Sequence, residues 1–266
     1  MPATDTRTLS TWADSIHPRV HIAGDGPPLV FLHGAAGLVW DEFLDDLAES
    51  FTVYAPEHPG TTPGDPDGVK PLDDLWDLVL SYYELFDDLG LDAPAVVGHS
   101  FGGMVAAELA ATNPDRVSRL VLMNPIGLWR DDAPVPNYMV LTPEQLAERT
   151  FVDPQGEIAT KVLSLPEDPD EQADAMIHLT WSLACTGKFV WPTFDRGLVK
   201  RLHRVTAPTL IIWGHRDGLV SPVYADEFAS RIPDARVEVL ENAAHMPHLE
   251  QRAETVRLVK EFAAGG

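Results

Sequence analysis

The sequence predicts an α/β fold: a mostly parallel, twisted sheet with helices on both faces and a helical cap inserted between two of its strands. Three observations carry this. Short apolar runs rich in Val, Ile and Leu recur along the chain with little polar alternation, as expected of parallel strands covered on both faces. Helical patterns lie between them, which implies right-handed crossovers within one sheet. One interval, from Gly127 to about Asp195, breaks that rhythm.

The run "PLVFLHG" (28–34) reads as a buried strand stopped by glycine, and "FTVYAP" (51–56) as a second closed by proline. Residues 71–89, "PLDDLWDLVLSYYELFDDL", open on proline and acidic residues and stop at Gly90, in keeping with helix start and stop rules. "PAVVGHS" (94–100) is the third strand and runs straight into an alanine-rich helix at 101–112. "VSRLVLMNP" (117–125), "PTLIIWGH" (208–215) and "ARVEVLEN" (235–242) complete six strands, with further helices expected at 221–231 and 247–263. The interval 127–195 holds several prolines, three tryptophans and two helical fragments, near 142–150 and 169–185. It is expected to be the cap, and 1–126 with 196–266 the core. A stretch that long inside a compact domain is usually functional.

Of the 266 residues, 45% are hydrophobic and 23% charged, ordinary values for one globular domain. The charge balance is not ordinary: 19 Lys and Arg against 41 Asp and Glu give a net charge of −22. Such a surface repels phosphate backbones and anionic lipid, which argues against nucleic-acid and membrane partners. A small-molecule substrate is the expected partner, with a homodimer left open. Cys185 is the only cysteine, so no intrachain disulfide can form, and it reads as an apolar packing residue. The opening "MPATDTRTLSTWADS" lacks an apolar signal core and no apolar run reaches membrane-spanning length, so a cytoplasmic protein is expected.

The chemistry concentrates at Gly98-His99-Ser100-Phe101-Gly102. A lone Gly-x-Ser-x-Gly is weak evidence, but this one ends a strand and opens a helix, the setting a nucleophile elbow requires. Glycines at 98, 102 and 103 clear space for a tight turn, and the helix start offers N–H groups to negative charge near Ser100. A serine hydroxyl needs a base, and the base an orienting group. "IIWGHRDGLVSP" supplies Asp217 just past one strand end, and "LENAAHMPHLE" supplies His245 past the last. His248 competes with His245 but falls in the first turn of the final helix pattern. In a parallel sheet the loops at the carboxyl ends share one edge, so residues distant in sequence converge there. "FLHGAAGLVW" completes the set: the N–H of Ala35 can join that of Phe101 to hold a developing oxyanion. No Gly-x-Gly-x-x-Gly or Walker loop occurs, and His245 and His248 have no third ligand at metal spacing, so neither cofactor nor metal is expected.

On His33-Gly34, Gly98 to Gly102, Gly214 to Asp217 and His245, the sequence resembles the α/β-hydrolase superfamily, in its capped, single-domain form of esterases, carbon–carbon bond hydrolases and cofactor-free haloperoxidase-like enzymes. The resemblance spans nearly the whole chain from about residue 19. It implies Ser100 as nucleophile, His245 as base, Asp217 as acid, and Ala35 and Phe101 as oxyanion donors. Trp40, Trp129, Trp181 and Trp191, with Leu219 and Met246, are expected to line an apolar substrate pocket, joined by Leu128 and Met139. Serine at position 100, where haloalkane dehalogenases and epoxide hydrolases carry aspartate, argues against both activities. The segment "PEHPGTTPGDP" departs from the Asp, Pro-Gly and Gly-x-Ser usual in relatives, leaving Glu57 and His58 either to line the pocket or to shape a loop. The expected activity is cleavage of ester-like bonds in small, apolar-leaning molecules through an acyl-enzyme on Ser100. Carbon–carbon cleavage, lyase action or cofactor-free oxidation on the same fold is the first alternative, and a small-molecule receptor with little turnover the second.

Overall fold

A computed structural model describes residues 4–192 and 194–265. Residues 1–3, 193 and 266, which fall in the ranges expected for core and cap, lie outside the described residues. The strands are β1 (Asp5–Thr8), β2 (Arg19–Ala23), β3 (Pro28–Leu32), β4 (Thr52–Pro56), β5 (Ala95–His99), β6 (Arg119–Met123), β7 (Thr209–Gly214) and β8 (Ala235–Leu240). They form one sheet in the order β1-β2-β4-β3-β5-β6-β7-β8. From β4 to β8 every neighbouring pair is parallel, whereas β1–β2 and β2–β4 are antiparallel.

The two amino-terminal strands are absent from the sequence expectation. All four residues of β1, Asp-Thr-Arg-Thr, are exposed, and β2 alternates half-buried with buried positions, so neither presents an apolar run. β5 and β7 are buried along their whole length, as their composition requires of central parallel strands. β8 is an edge strand and only partly covered.

The helices are α1 (Glu42–Ala48), α2 (Leu75–Asp88), α3 (Phe101–Thr112), α4 (Pro143–Thr150), α5 (Glu157–Leu163), α6 (Pro169–Val190), α7 (Val223–Ala229), α8 (Pro247–Glu250) and α9 (Arg252–Ala263). α2 begins at Leu75 rather than 71, because the Asp74 side chain accepts from the N–H groups of Trp76 and Asp77 and sets the cap there. α1 and α5 were not expected; at seven residues each they hold too few turns to show a helical period. α6 runs on to Val190 instead of ending near 185. The last expected helix is two, broken at Gln251.

Two apolar layers sandwich the sheet. One is built around α2, α3 and the end of α6 with Phe86, Phe101, Leu109, Phe189 and Trp213. The other is built around α1 and α9 with Phe31, Phe43, Leu47 and Val259. α4, α5 and α6 all lie between β6 and β7 in the chain. Among the described residues no helix is long and apolar enough to cross a membrane.

Candidate active site

The turn from β5 into α3 is crowded on all sides. A Cβ on Gly98 would lie 2.4 Å from the Gly102 carbonyl oxygen, and one on Gly102 would lie 2.1 Å from that of Leu32. Only glycine fits at either place. Ser100 itself holds φ 53° and ψ −112°, a conformation that costs a non-glycine residue about 1–3 kcal/mol. Backbone bonds fix it there: Ser100 N–H donates to Met123 O at 2.9 Å, and its carbonyl accepts from Ile126 N–H at 3.2 Å.

β7 and β8 deliver the partners. The Ser100 hydroxyl donates to His245 Nε2 across 2.9 Å, while His245 Nδ1 donates to Asp217 Oδ2 at 2.8 Å. Asp217 Oδ1 accepts the Leu219 and Val220 N–H groups, both at 2.8 Å, and Oδ2 also accepts Asn124 Nδ2 at 2.6 Å. Four donors fix the orientation of this carboxylate. All three side chains are buried, with Ser100 keeping 8% of its surface open.

His99 donates Nε2–H to the His245 carbonyl at 2.8 Å, and burial first, then the neighbouring histidines, push its pKa well below the ordinary value. It therefore braces the His245 loop as a neutral ring. The end of α4 braces this loop and the one after β7: His245 N–H donates to Thr150 O at 2.9 Å and Gly218 N–H to Arg149 O at 3.0 Å. Glu250 accepts Val152 N–H and Ala244 N–H, each at 2.7 Å, and so ties the end of α4 to the His245 loop. His248 lies within α8, its ring 4.6 Å from that of His99, away from the hydroxyl–imidazole–carboxylate chain.

Gly34 abuts the serine, since a Cβ there would sit 3.6 Å from Ser100 Cβ. Among the described residues no hydrogen bond takes the N–H of Ala35 or of Phe101, while the Ala35 carbonyl accepts Thr186 Oγ1 of α6 at 3.4 Å. The tryptophans part ways. Trp129 and Trp191 line a cavity of about 250 Å³ with Tyr138, Met139 and Phe194. Trp40 bonds Asp45 and Trp181 bonds the Pro66 carbonyl, and neither is among the residues lining that cavity. Leu219 is buried beside Asp217, and Met246, half-buried, follows His245.

Glu57 makes a forked ion pair with Arg19 at 2.7–3.1 Å and bonds His21 at 2.9 Å, which ties β2 to the end of β4. Burial works against its charge, but these partners and Thr62 outweigh it and hold the carboxyl below its usual range.

Asn124 and Glu250 escaped the sequence reading. A signal existed for the first: an asparagine just before proline at a strand's carboxyl end, here at φ 45°, a conformation asparagine tolerates better than most residues. Glu250 gave none, since one glutamate in an acidic helix start is unremarked by any pattern.

A family model described as alpha/beta hydrolase fold matches residues 27–251. Among curated relatives, a 2-hydroxy-6-oxo-6-phenylhexa-2,4-dienoate hydrolase of Burkholderia cepacia is 26% identical, over 93% of this chain and 92% of its own. A pimeloyl-[acyl-carrier protein] methyl ester esterase of Vibrio campbellii is 27% identical, over 91% and 96%. Of solved structures, naproxen esterase from Bacillus subtilis superposes with a TM-score of 0.75 at 21% identity, over 98% of this chain and 92% of that one. A meta-cleavage product hydrolase gives 0.75 at 20% identity, over 98% of both. At such identities these structures speak to the fold alone.

Proposed function

The chain belongs to the α/β-hydrolase fold family, and from that premise we propose that it is a serine hydrolase that cleaves ester-like bonds of small, apolar-leaning molecules. The observation that carries this reading is the unbroken chain from Ser100 Oγ through the His245 ring to Asp217. Ser100 attacks the carbonyl carbon as His245 Nε2 takes its proton. Asp217 holds the imidazole in the tautomer that leaves Nε2 free to accept, and offsets the positive charge that forms. The negative oxygen of the tetrahedral intermediate rests between the N–H groups of Ala35 and Phe101. His245 then hands its proton to the leaving alcohol, and water resolves the acyl-enzyme by the same steps in reverse.

The apolar leaning draws on a cavity whose lining includes none of Ser100, Asp217 and His245. A dry cavity of about 150 Å³ lined by apolar side chains accepts benzene; this one, at about 250 Å³ and lined by Trp129, Met139, Trp191 and Phe194, has room for a larger ring or a branched chain. A second reading, hydrolysis of a carbon–carbon bond in a vinylogous diketone, draws on the Burkholderia relative. The same serine and histidine serve either bond, so the pocket decides.

The experiment is turnover of p-nitrophenyl esters of graded acyl length against a vinylogous diketone, with wild type and Ser100→Ala. Ester turnover that falls about 10⁶-fold in Ser100→Ala supports the proposal. Rapid diketone loss without ester turnover replaces it with the second reading, and fluorophosphonate labelling with no turnover of either class overturns both.

A further inference from the structure

His58 is buried and touches both the His33 carbonyl, two residues before Ala35, and the ring of Phe101. Its Nε2 lies 2.9 Å from the His33 carbonyl, its own backbone N–H donates to His33 Nε2 at 3.0 Å, and its Nδ1 meets the Tyr82 hydroxyl. Its ring lies 4.0 Å from that of His33, tilted by 48°, and meets the Phe101 ring edge-on at 4.9 Å. His33 in turn reaches the Gly34 carbonyl with Nδ1 at 2.7 Å.

The protons in this group are fixed by elimination. A carbonyl only accepts, so His58 Nε2 carries a hydrogen and donates it to His33 O. Burial depresses His58 to about pKa 4, so the ring is neutral and Nδ1 has only a lone pair. Tyr82 must then be the donor; its hydroxyl is buried, and that burial pushes its pKa up, so it keeps its proton. At His33, Nε2 accepts from the His58 backbone and Nδ1 donates to Gly34 O. Every proton position in the set follows from the Tyr82 hydroxyl and the two carbonyls.

We propose that His58 is a positioning residue for the oxyanion hole: its imidazole, donating from Nε2 to the His33 carbonyl and held at Nδ1 by the Tyr82 hydroxyl, bonds the His33–Ala35 turn while it seats Phe101. The inference rests on the hydrolase reading above. Without the Tyr82 hydroxyl the buried Nδ1 lone pair has no donor, and the ring loses the bond that holds it in line with the His33 carbonyl. The turn loses its tie and the Ala35 N–H drifts from the oxyanion, where a misplacement near 1 Å costs on the order of 10²-fold in rate.

The test uses the full chain with p-nitrophenyl butyrate and, independently, the rate of phosphonylation by a fluorophosphonate, whose P–O oxygen needs the same two donors. His58→Leu is expected to lower kcat about 10²-fold and Tyr82→Phe about tenfold, with KM changed less than about twofold and phosphonylation slowed in step with kcat. His58→Gln, whose amide can both donate to His33 O and accept from Tyr82, is expected to recover most of the loss. Wild-type kcat in Tyr82→Phe, or failure of His58→Gln to exceed His58→Leu while both melt alike, overturns the proposal. A wild type inert toward both reagents overturns the hydrolase reading instead, and is seen before any variant is made.

Discussion

Asn124 donates its side-chain amide to Asp217 Oδ2 at 2.6 Å, the same oxygen that accepts the His245 ring N–H. The amide also reaches the Ala244 carbonyl at 3.3 Å, so one side chain just past β6 spans the loops that follow β7 and β8. A bond to a charged group contributes about 1.5–3 kcal/mol. Asn124→Gly keeps the positive φ without strain and removes only the amide. It is expected to lower kcat by about 10- to 100-fold at nearly constant KM. Steady-state kinetics on any turned-over ester reads this directly; unchanged kcat would show that Asp217 needs no support from Asn124.

Gly214 ends β7 against the loop that carries His245. A Cβ there would stand 1.9 Å from Ala244 O and 2.6 Å from Ala243 O, closer than any van der Waals contact permits. The obstacle is backbone and cannot swing aside. Gly214→Ala is expected to shift that loop, lengthen the Ser100–His245 bond and lower kcat about 10²-fold. A crystal structure of the variant with His245 in place would contradict this.

Glu250 joins the segment after α4 to the His245 loop through the N–H groups of Val152 and Ala244. In Glu250→Gln one of those donors faces an NH₂ instead of an oxygen, at a cost of about 1–3 kcal/mol. Amide hydrogen exchange should quicken at Val152 and Ala244 together, while amides in β5 keep their protection. Exchange that rises at only one of the two would mean that the two segments are not coupled through this carboxylate.

Burial keeps four histidines neutral in the folded chain: His58 down to about 4, His248 to about 3, and His33 and His99 well below the ordinary 6.5. At His58 and His248 the unfolded chain takes up protons near 6.5 and the folded chain only near 4 and 3. The stabilisation is therefore complete above pH 6.5 and is lost as pH falls from there toward 3, by about 1.4 kcal/mol per pH unit for each ring. His248 Nδ1 is buried without a partner and its ring packs edge-on against Phe43 at 5.5 Å, so phenylalanine replaces it without breaking a bond at that nitrogen. Thermal melts from pH 7 to 4 should fall less steeply for His248→Phe than for wild type. Parallel curves would refute the assignment.

The central strands β3 to β7 and the glycine-flanked serine are legible because each is dictated locally. A strand covered on both faces must be apolar throughout, and a turn as tight as the one at Ser100 admits only glycine beside it. β1, β2 and α1 are not legible. Their sequences are short and partly polar, and they hold their shape through pairing and packing supplied by the rest of the chain. The tryptophans teach the same lesson: four indoles look alike in sequence, yet two line a cavity and two bond elsewhere.

The sequence by itself determined the α/β class, the order of the parallel strands' apolar runs, and a serine, an aspartate and a histidine each just beyond a strand's carboxyl end, because spacing and composition act over a few residues at a time. Only the tertiary structure decided that Asn124 shares an oxygen with His245, that Glu250 ties the segment after α4 to the His245 loop, and that His58 joins the Tyr82 hydroxyl to the His33 carbonyl. Those relations join residues from 6 to 98 positions apart. A hydrogen bond requires placement within a few tenths of an ångström, and only the packed sheet sets distances that finely.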